Sequence, residues 1–354
     1  MFNIFKSWYN KYFSNPEAVL LLFFLIVSFG LIITMGGILA PVITSLVIVY
    51  LLQGLVNSLV NQDIPRNIAY PIVYTLFLAI FIAAILVLLP LLWRQFTNLF
   101  TDLPHMLQNA KSSLIELAEQ YPAYFSKQQI DTLVSSLLSD IQSWVKIKVS
   151  VSLSYIPGII AWLVYLFLVP LLVFFFLKDS EVIISWLSRF FPKNRKVLNT
   201  IWLEMDKQIG NYIRGKIIQI TIVSLANSIV FLYFELNYAI LLAAIIGISV
   251  IIPYIGGVVV SIPLILVGYL QWGFSLKLGY MLIAYAMVQA LDANVIVPIL
   301  FSKAVNLHPV AIVIAILFFG SVWGMWGVVF AIPLATLVKT VLTVWPVAHN
   351  KNIN

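Results

Sequence analysis

Several side-chain types are scarce in this chain of 354 residues, and each scarcity excludes a class of function. The chain has no cysteine, which excludes disulfides, thiolate nucleophiles and cysteine metal sites. Its three histidines, His105, His308 and His349, are too scattered along the sequence to predict a zinc site. Charged residues make up only 9% of the chain, against about 25% in soluble domains. The composition is therefore not that of a soluble protein or a zinc enzyme.

Motifs typical of enzymes and ATP-driven pumps are also missing. The sequence contains neither an HExxH zinc-protease motif nor a GxSxG nucleophile elbow. Residues Gly210–Lys216 fit the first seven positions of a phosphate-binding loop, but Ile217 stands where a magnesium-binding Ser or Thr is required. A paired-aspartate intramembrane protease would need a second buried acid beside Asp292, and none is evident. We therefore predict no enzymatic activity, no cofactor and no metal site.

Apolar residues are abundant, at 62% of the chain, and the mean hydropathy is +1.04. A helix needs about 20 consecutive apolar residues to cross a bilayer. The predicted fold class is an all-α polytopic membrane protein with about eight hydrophobic segments and amphipathic helices outside the membrane. The apolar runs lie at 18–35, 38–60, 68–92, 152–177, 217–234, 238–270, 278–300 and 306–345.

Two polar segments interrupt these runs and predict the topology. Residues 93–150 carry five basic and five acidic residues with apolar residues at helical spacing, a pattern of amphipathic helices that lie on a membrane, on a partner or on their own bundle. Residues 178–216 carry eight basic and four acidic residues, and the positive-inside rule places them in the cytoplasm. Counting spans then places the N-terminus in the cytoplasm and 93–150 outside. The net charge of +7 indicates contact with anionic lipid, not with nucleic acid.

These boundaries divide the chain into six predicted segments. They are an N-terminal interfacial segment with three spans (1–92), an amphipathic extracytoplasmic segment (93–150), a fourth span (151–177), a basic cytoplasmic segment (178–216), a transport core with broken helices (217–345) and a tail (346–354). Arg214, Gly215 and Lys216 mark the cytoplasmic boundary of the core.

Glycine and proline interrupt two of the long C-terminal runs. The breaks contain Pro253, Tyr254, Gly256 and Gly257 in run 238–270, and Gly320, Gly324, Gly327 and Pro333 in run 306–345. Lipid does not tolerate exposed irregular backbone, so each break must be buried in protein or line a watery cavity. Paired breaks of this kind indicate the binding site of a transporter. We predict two helix–break–helix hairpins that act as gates; two pairs of ordinary tilted helices, and close helix packing at the glycines, are the alternatives.

Asp292 is the candidate charge-bearing group. It lies near the middle of the apolar run Gly279–Leu300, with Gln289, Asn294 and Pro298 around it. An acid at the bilayer centre costs at least about 2.5 kcal/mol, so such residues usually mark proton relays, ion sites or substrate contacts. A purely structural hydrogen-bond partner is the alternative. His308, at a membrane boundary, is a candidate for assisting proton movement, although a lone histidine is more often structural.

Five motifs make this chain similar to the autoinducer-2 exporter family, also called PerM-like permeases. They are Ile209–Gly215 (IGNYIRG), Pro253–Gly256 (PYIG), Asp292–Pro298 (DANVIVP), Val305–Pro309 (VNLHP) and Gly324–Ala335 (GMWGVVFAIPLA). Two positions depart from the family pattern: Gly257 stands where proline is frequent, and Lys216 where glutamine is common. Both lie beside the expected functional backbone.

The resemblance implies a bacterial inner-membrane transporter that assembles as a homo-oligomer, a pentamer in the family. Members are linked to export of the signal molecule autoinducer-2, others to sodium/proton antiport, and an elevator-like movement has been proposed for the family. We expect secondary transport of a small polar solute, coupled to protons or sodium through Asp292. The alternatives are a sodium/proton antiporter and a non-transporting membrane scaffold built on 93–150 and 178–216.

Overall fold

A computed structural model describes residues 16–120, 156–190, 196–253, 255–301 and 307–345, with a few positions between 128 and 139. Helix is the only regular structure in these residues, which confirms the all-α prediction. We label the helices α1 (Pro16–Val60), α2 (Arg66–Ala83), α3 (Leu89–Gln120), α4 (Ile156–Lys178), α5 (Ser180–Ser188), α6 (Lys196–Tyr233), α7 (Ala239–Ser249), α8 (Ile255–Trp272), α9 (Leu276–Leu291), α10 (Val297–Phe301), α11 (Pro309–Val329) and α12 (Ala331–Val344). π-Helical turns at Ala84–Leu88 and Asp292–Ile296 join α2 to α3 and α9 to α10.

The described helices are those of a multi-pass membrane protein. Five helical stretches, some of which join two of these helices, are long and apolar enough to cross a bilayer: Gly37–Val60, Arg66–Asn109, Val197–Tyr233, Leu276–Phe301 and Pro309–Val329. The bent pair α4–α5 would make a sixth. The sequence predicts about eight hydrophobic segments, and two of these are the broken runs 238–270 and 306–345. The helices within the broken runs are mostly shorter than a membrane span, so the two counts are not directly comparable. The number of crossings, the membrane orientation and the six sequence segments therefore stay predictions.

The chain divides into two compact units. The first contains residues 1–75, 166–217 and 299–354, and the second contains 76–165 and 218–298.

Helix α1 of the first unit bends sharply, although its helical hydrogen bonding continues through both predicted runs 18–35 and 38–60. Leu21, near its start, packs in a buried cluster with Ile201 and Met205 of α6. The hydroxyl of Tyr50, near its end, donates to Asp206 of the same turn of α6, at 2.8 Å. In a straight helix, residues 21 and 50 would lie roughly 43 Å apart, so α1 folds back between them.

The second hairpin lies in the first unit and reverses inside α11, at Gly324; its second arm begins there and continues into α12. Gly324 has a φ of +60°, in the left-handed region that favours glycine. A Cβ on Gly327 would overlap the carbonyl oxygen of Phe319, and a Cβ on Gly320 would come within 2.9 Å of Val328. In a straight helix, residues 319 and 327 would be about 12 Å apart. The predicted break is confirmed, and the glycines also provide the predicted close packing.

The first hairpin, α7–α8, lies in the second unit, and its described turn residues are 250–253. Gly256 is buried, and a Cβ at this position would overlap the carbonyl oxygen of Ser249. Pro253 lies in the turn, while Tyr254 lies outside the described residues. The sequence Pro–Tyr–Ile–Gly thus ends one helix and lets the next begin against it. Entry and exit of either hairpin by one membrane face stays a prediction.

The base of the first hairpin is held to α3 by polar side chains. Gln95 accepts the backbone N–H of Leu241 at 2.8 Å, and the hydroxyl of Tyr238 donates to Asp102 at 2.6 Å. These bonds fix the start of α7, the first arm of the hairpin, at the end opposite its turn.

Candidate functional site

Asp292 is buried in the second unit, with 8% of its surface exposed. Both carboxylate oxygens lie 2.9 Å from the side-chain nitrogen of Gln219 on α6, which is itself 2% exposed. An amide nitrogen carries two hydrogens and can direct one to each oxygen. The predicted acid is therefore met by a neutral hydrogen-bond donor inside the protein.

The backbone widens at Asp292, where the π-helical turn begins. The N–H of Val297 donates to the carbonyl oxygen of Asp292, one residue further back than in an α-helix. Pro298, which follows, has no N–H to donate. Such turns occur frequently at functional sites because they re-aim side chains. Pro298 is exposed, and its contribution to the site is through the backbone.

Gln219 belongs to a buried stripe of α6 that sequence reasoning missed. Gln219, Val223, Asn227 and Phe231 recur every four residues, and each is at most 2% exposed. The sequence does hold a signal for this stripe: Gln219 and Asn227 are the two amide side chains within the apolar run 217–234. Their spacing places both on the face of α6 that packs into the core of the second unit.

Asn227 carries an unsatisfied polar atom. Its side-chain nitrogen donates to the carbonyl oxygen of Val223 at 2.8 Å, while its Oδ1 is buried and has no hydrogen-bond partner among the described residues. An unsatisfied buried acceptor costs about 1–3 kcal/mol.

Replacing Asn227 with leucine is therefore expected to raise the stability of the protein. The substitution removes the unsatisfied oxygen and keeps an apolar volume in the core, so the unfolding temperature in detergent should rise by several degrees for about 1–2 kcal/mol. Gln219→Leu is the matched comparison and should have the opposite effect, because it deprives Asp292 of a donor. A lower unfolding temperature for Asn227→Leu would show that its oxygen has a partner.

The side chain of Gln289 connects α9 to the start of α8 in the first hairpin, while its carbonyl oxygen accepts the backbone N–H of Asp292. Its side-chain nitrogen donates to the hydroxyl of Tyr285 at 2.8 Å, and that hydroxyl donates to the carbonyl oxygen of Gly257 at 3.3 Å. Tyr285 is 8% exposed. This chain of two bonds joins the hairpin turn to the helix that ends at Asp292, one turn further on.

Replacing Tyr285 with phenylalanine is expected to loosen the hairpin turn while the fold is kept. The change removes only the hydroxyl that joins Gln289 to Gly257, so amide hydrogen exchange around residues 255–260 should speed up about fivefold to tenfold, as expected for the loss of one hydrogen bond. Tyr280→Phe is the control, since Tyr280 lies on the same helix and is 59% exposed. Equal exchange in both variants would contradict a role for the Tyr285 hydroxyl.

Two other predicted site residues serve the backbone. Asn294 is exposed and donates to the carbonyl oxygen of Ala290 in its own helix, so it is not brought to Asp292. His308 is the N-cap of α11: its Nδ1 accepts the N–H of Val310 at 3.3 Å, and Pro309 follows at the first helical position. In the structure its contact is therefore a helix cap, and assistance to proton movement stays a prediction.

The predicted boundary residues are packing residues of the first unit. The guanidinium of Arg214 donates to the backbone oxygen of Tyr50 at 3.2 Å and to Asn211 at 2.9 Å. A Cβ on Gly215 would lie 2.9 Å from the ring of Phe301, and the ammonium of Lys216 lies 5.2 Å from the centre of that ring. The three residues thus pack α6 against α1 and α10, and the membrane side on which they lie stays a prediction.

Two points of the predicted site remain: the position of Pro333 and the predicted absence of a metal site. Pro333 is buried in α12 and faces a narrow recess that it shares with Ile209 and Tyr212. Within the described ranges, no group of three or more His, Asp or Glu residues is placed to hold a metal ion.

Comparison with known proteins identifies relatives along nearly the whole chain. A family model described as AI-2E family transporter matches residues 21–347. "Putative permease PerM" of Escherichia coli (strain K12) is 41% identical over 346 residues, 98% of each chain. "Putative transport protein YueF" of Bacillus subtilis (strain 168) is 26% identical over 256 residues, covering 71% of this chain and 69% of its own. All five motifs lie inside the matched region.

Proposed function

Because this chain belongs to the AI-2E family of transporters, we propose that it is a secondary transporter of the bacterial inner membrane that exports a small polar solute. The solute class is the one that the family name indicates, an autoinducer-2-like signal molecule. The observation that carries the proposal is the buried pair of Asp292 and Gln219, one helical turn from the bonds that hold the first hairpin.

The pair offers a polar solute both kinds of hydrogen bond. The carboxylate of Asp292 accepts, and the amide of Gln219 can donate or accept. A solute that displaces Gln219 with two hydroxyls would replace both of its hydrogen bonds to Asp292, so the net cost is small. The site can therefore bind and release a solute without leaving a buried charge unpaired.

The driving force in this proposal is an ion gradient or the gradient of the solute itself. No complete phosphate-binding loop is present in the sequence. A buried carboxylate can hold either a proton or a cation, which would couple solute movement to the membrane gradient.

A sodium/proton antiporter is the second candidate, and the same buried carboxylate favours it. A single acid that alternates between a proton and a sodium ion is sufficient for such an exchange, and no organic solute is then required.

The two candidates are separated by transport in proteoliposomes. An exporter should release a preloaded autoinducer-2-type solute faster than protein-free liposomes, and an imposed proton or sodium gradient should change that rate. An antiporter should make the vesicle lumen alkaline on sodium addition with no organic solute present. A rate equal to that of protein-free liposomes in every condition would contradict both.

A further inference from the structure

Helix α5 follows α4 almost directly but runs in a different direction. Only Asp179 separates α4 from α5, and the two helices meet at an angle of 78°. With nine residues, α5 is far shorter than the roughly 20 residues that cross a bilayer. If α4 crosses the membrane, α5 must run nearly parallel to the membrane plane from the point where α4 emerges.

One face of α5 is apolar and exposed. Val182, Trp186 and Phe190 lie four residues apart and are 66%, 55% and 67% exposed. Glu181, Ser185, Ser188 and Arg189 form the polar remainder of the helix surface, which begins beside Val182. A helix with this division lies in the interface of a membrane with its apolar face toward the acyl chains, and aromatic residues are enriched at that level.

The sequence around α5 is rich in basic residues. Lys178 and Arg189 stand at its two ends, and the sequence 178–196 contains five basic and two acidic residues. Glu181, one of the two acids, is paired with Arg66 at 2.8 Å. The surface is therefore complementary to anionic lipid headgroups.

A second contact places α5 at a helix end. Arg66 is the first residue of α2, directly after the polar turn 61–65, and its guanidinium holds Glu181 in the first turn of α5. Because α5 follows α4 after a single residue, this ion pair places the first residue of α2 close to the end of α4. Helix ends of this kind are where a membrane-spanning chain meets the headgroups.

We propose that α5 is an interfacial helix that inserts its face Val182, Trp186 and Phe190 into an anionic lipid surface. Lys178 and Arg189 bind the lipid phosphates. The inference does not depend on what the protein transports.

The absence of cysteine makes a direct test simple, since each introduced cysteine is the only one in the full-length chain. Val182→Cys and Trp186→Cys on the apolar face, and Ser185→Cys on the polar face, are labelled with nitroxide in nanodiscs that contain phosphatidylglycerol. Collisions with oxygen, which concentrates in lipid, are compared with collisions with a nickel chelate, which stays in water.

Labels at 182 and 186 should favour oxygen and lie just below the headgroups, while the label at 185 should favour the nickel chelate. Without phosphatidylglycerol, nickel access at 186 should rise at least about twofold, because the electrostatic attraction is lost. The proposal would be overturned if the labels at 182 and 186 were accessible to the nickel chelate. It would also be overturned if they were accessible to neither reagent, which would indicate a protein contact, or if they lay at the bilayer midplane, which would indicate a broken span. Unchanged nickel access at 186 without phosphatidylglycerol would overturn the claim that α5 requires anionic lipid.

Discussion

Replacing Asp292 with asparagine is expected to lower transport at least about tenfold, and to abolish its dependence on a proton or sodium gradient. Asparagine has nearly the same shape but can neither load a proton nor balance a cation. Gln219 can still donate one hydrogen bond to its side-chain oxygen, so the fold should be retained. The measurement is flux into or out of proteoliposomes at matched protein amount, together with the unfolding temperature in detergent.

Asn294→Ala is the matched control for this variant. Asn294 lies two residues away in the same π-helical turn, but it is exposed and bonds only to its own helix among the contacts described. Its flux should stay near that of the wild type. Wild-type flux in Asp292→Asn would remove the carboxylate from the mechanism, and equal loss in both variants would indicate a structural effect on the turn.

Much of the fold could be predicted because it follows from local chemistry. Apolar runs predict helices in lipid, and the Pro–Tyr–Ile–Gly and Gly320–Gly327 segments predict where those helices end. Both breaks are found in the structure, at residues 250–253 and at Gly324. The motifs also identified the family, which the matched region 21–347 confirms.

The partners within the site could not be predicted, because they depend on how distant helices pack. Gln219 is 73 residues from Asp292 in the chain, and only the packing of α6 on α9 brings their side chains together. Gln289 and Asn294 are closer in sequence, yet the side chain of Gln289 bonds to Tyr285 and that of Asn294 to the backbone of Ala290. The bend of α1 was hidden for the same reason: its local sequence is apolar and helical throughout, and only contacts with α6 reveal it.

The second large effect is expected at Gly256, where alanine should destabilise the protein by about 3 kcal/mol or more. A Cβ at this position would overlap the carbonyl oxygen of Ser249. The obstacle is backbone, so it cannot be relieved by rotating a side chain, and α7 and α8 would have to separate at the turn. We expect a lower unfolding temperature and a loss of transport, measured on the same preparation.

Gly257→Ala is the control, because it adds the same methyl group one residue later. The nearest atom there is the side-chain nitrogen of Gln289 at 3.6 Å, an ordinary van der Waals distance, so this variant should keep its stability. Gly327→Ala should repeat the Gly256 result in the second hairpin, where the overlap is with the carbonyl oxygen of Phe319. If Gly256→Ala and Gly257→Ala were equally stable, the close approach of the two helix ends would be wrong. If only transport were lost, the glycine would be needed for movement of the hairpin instead of for its packing.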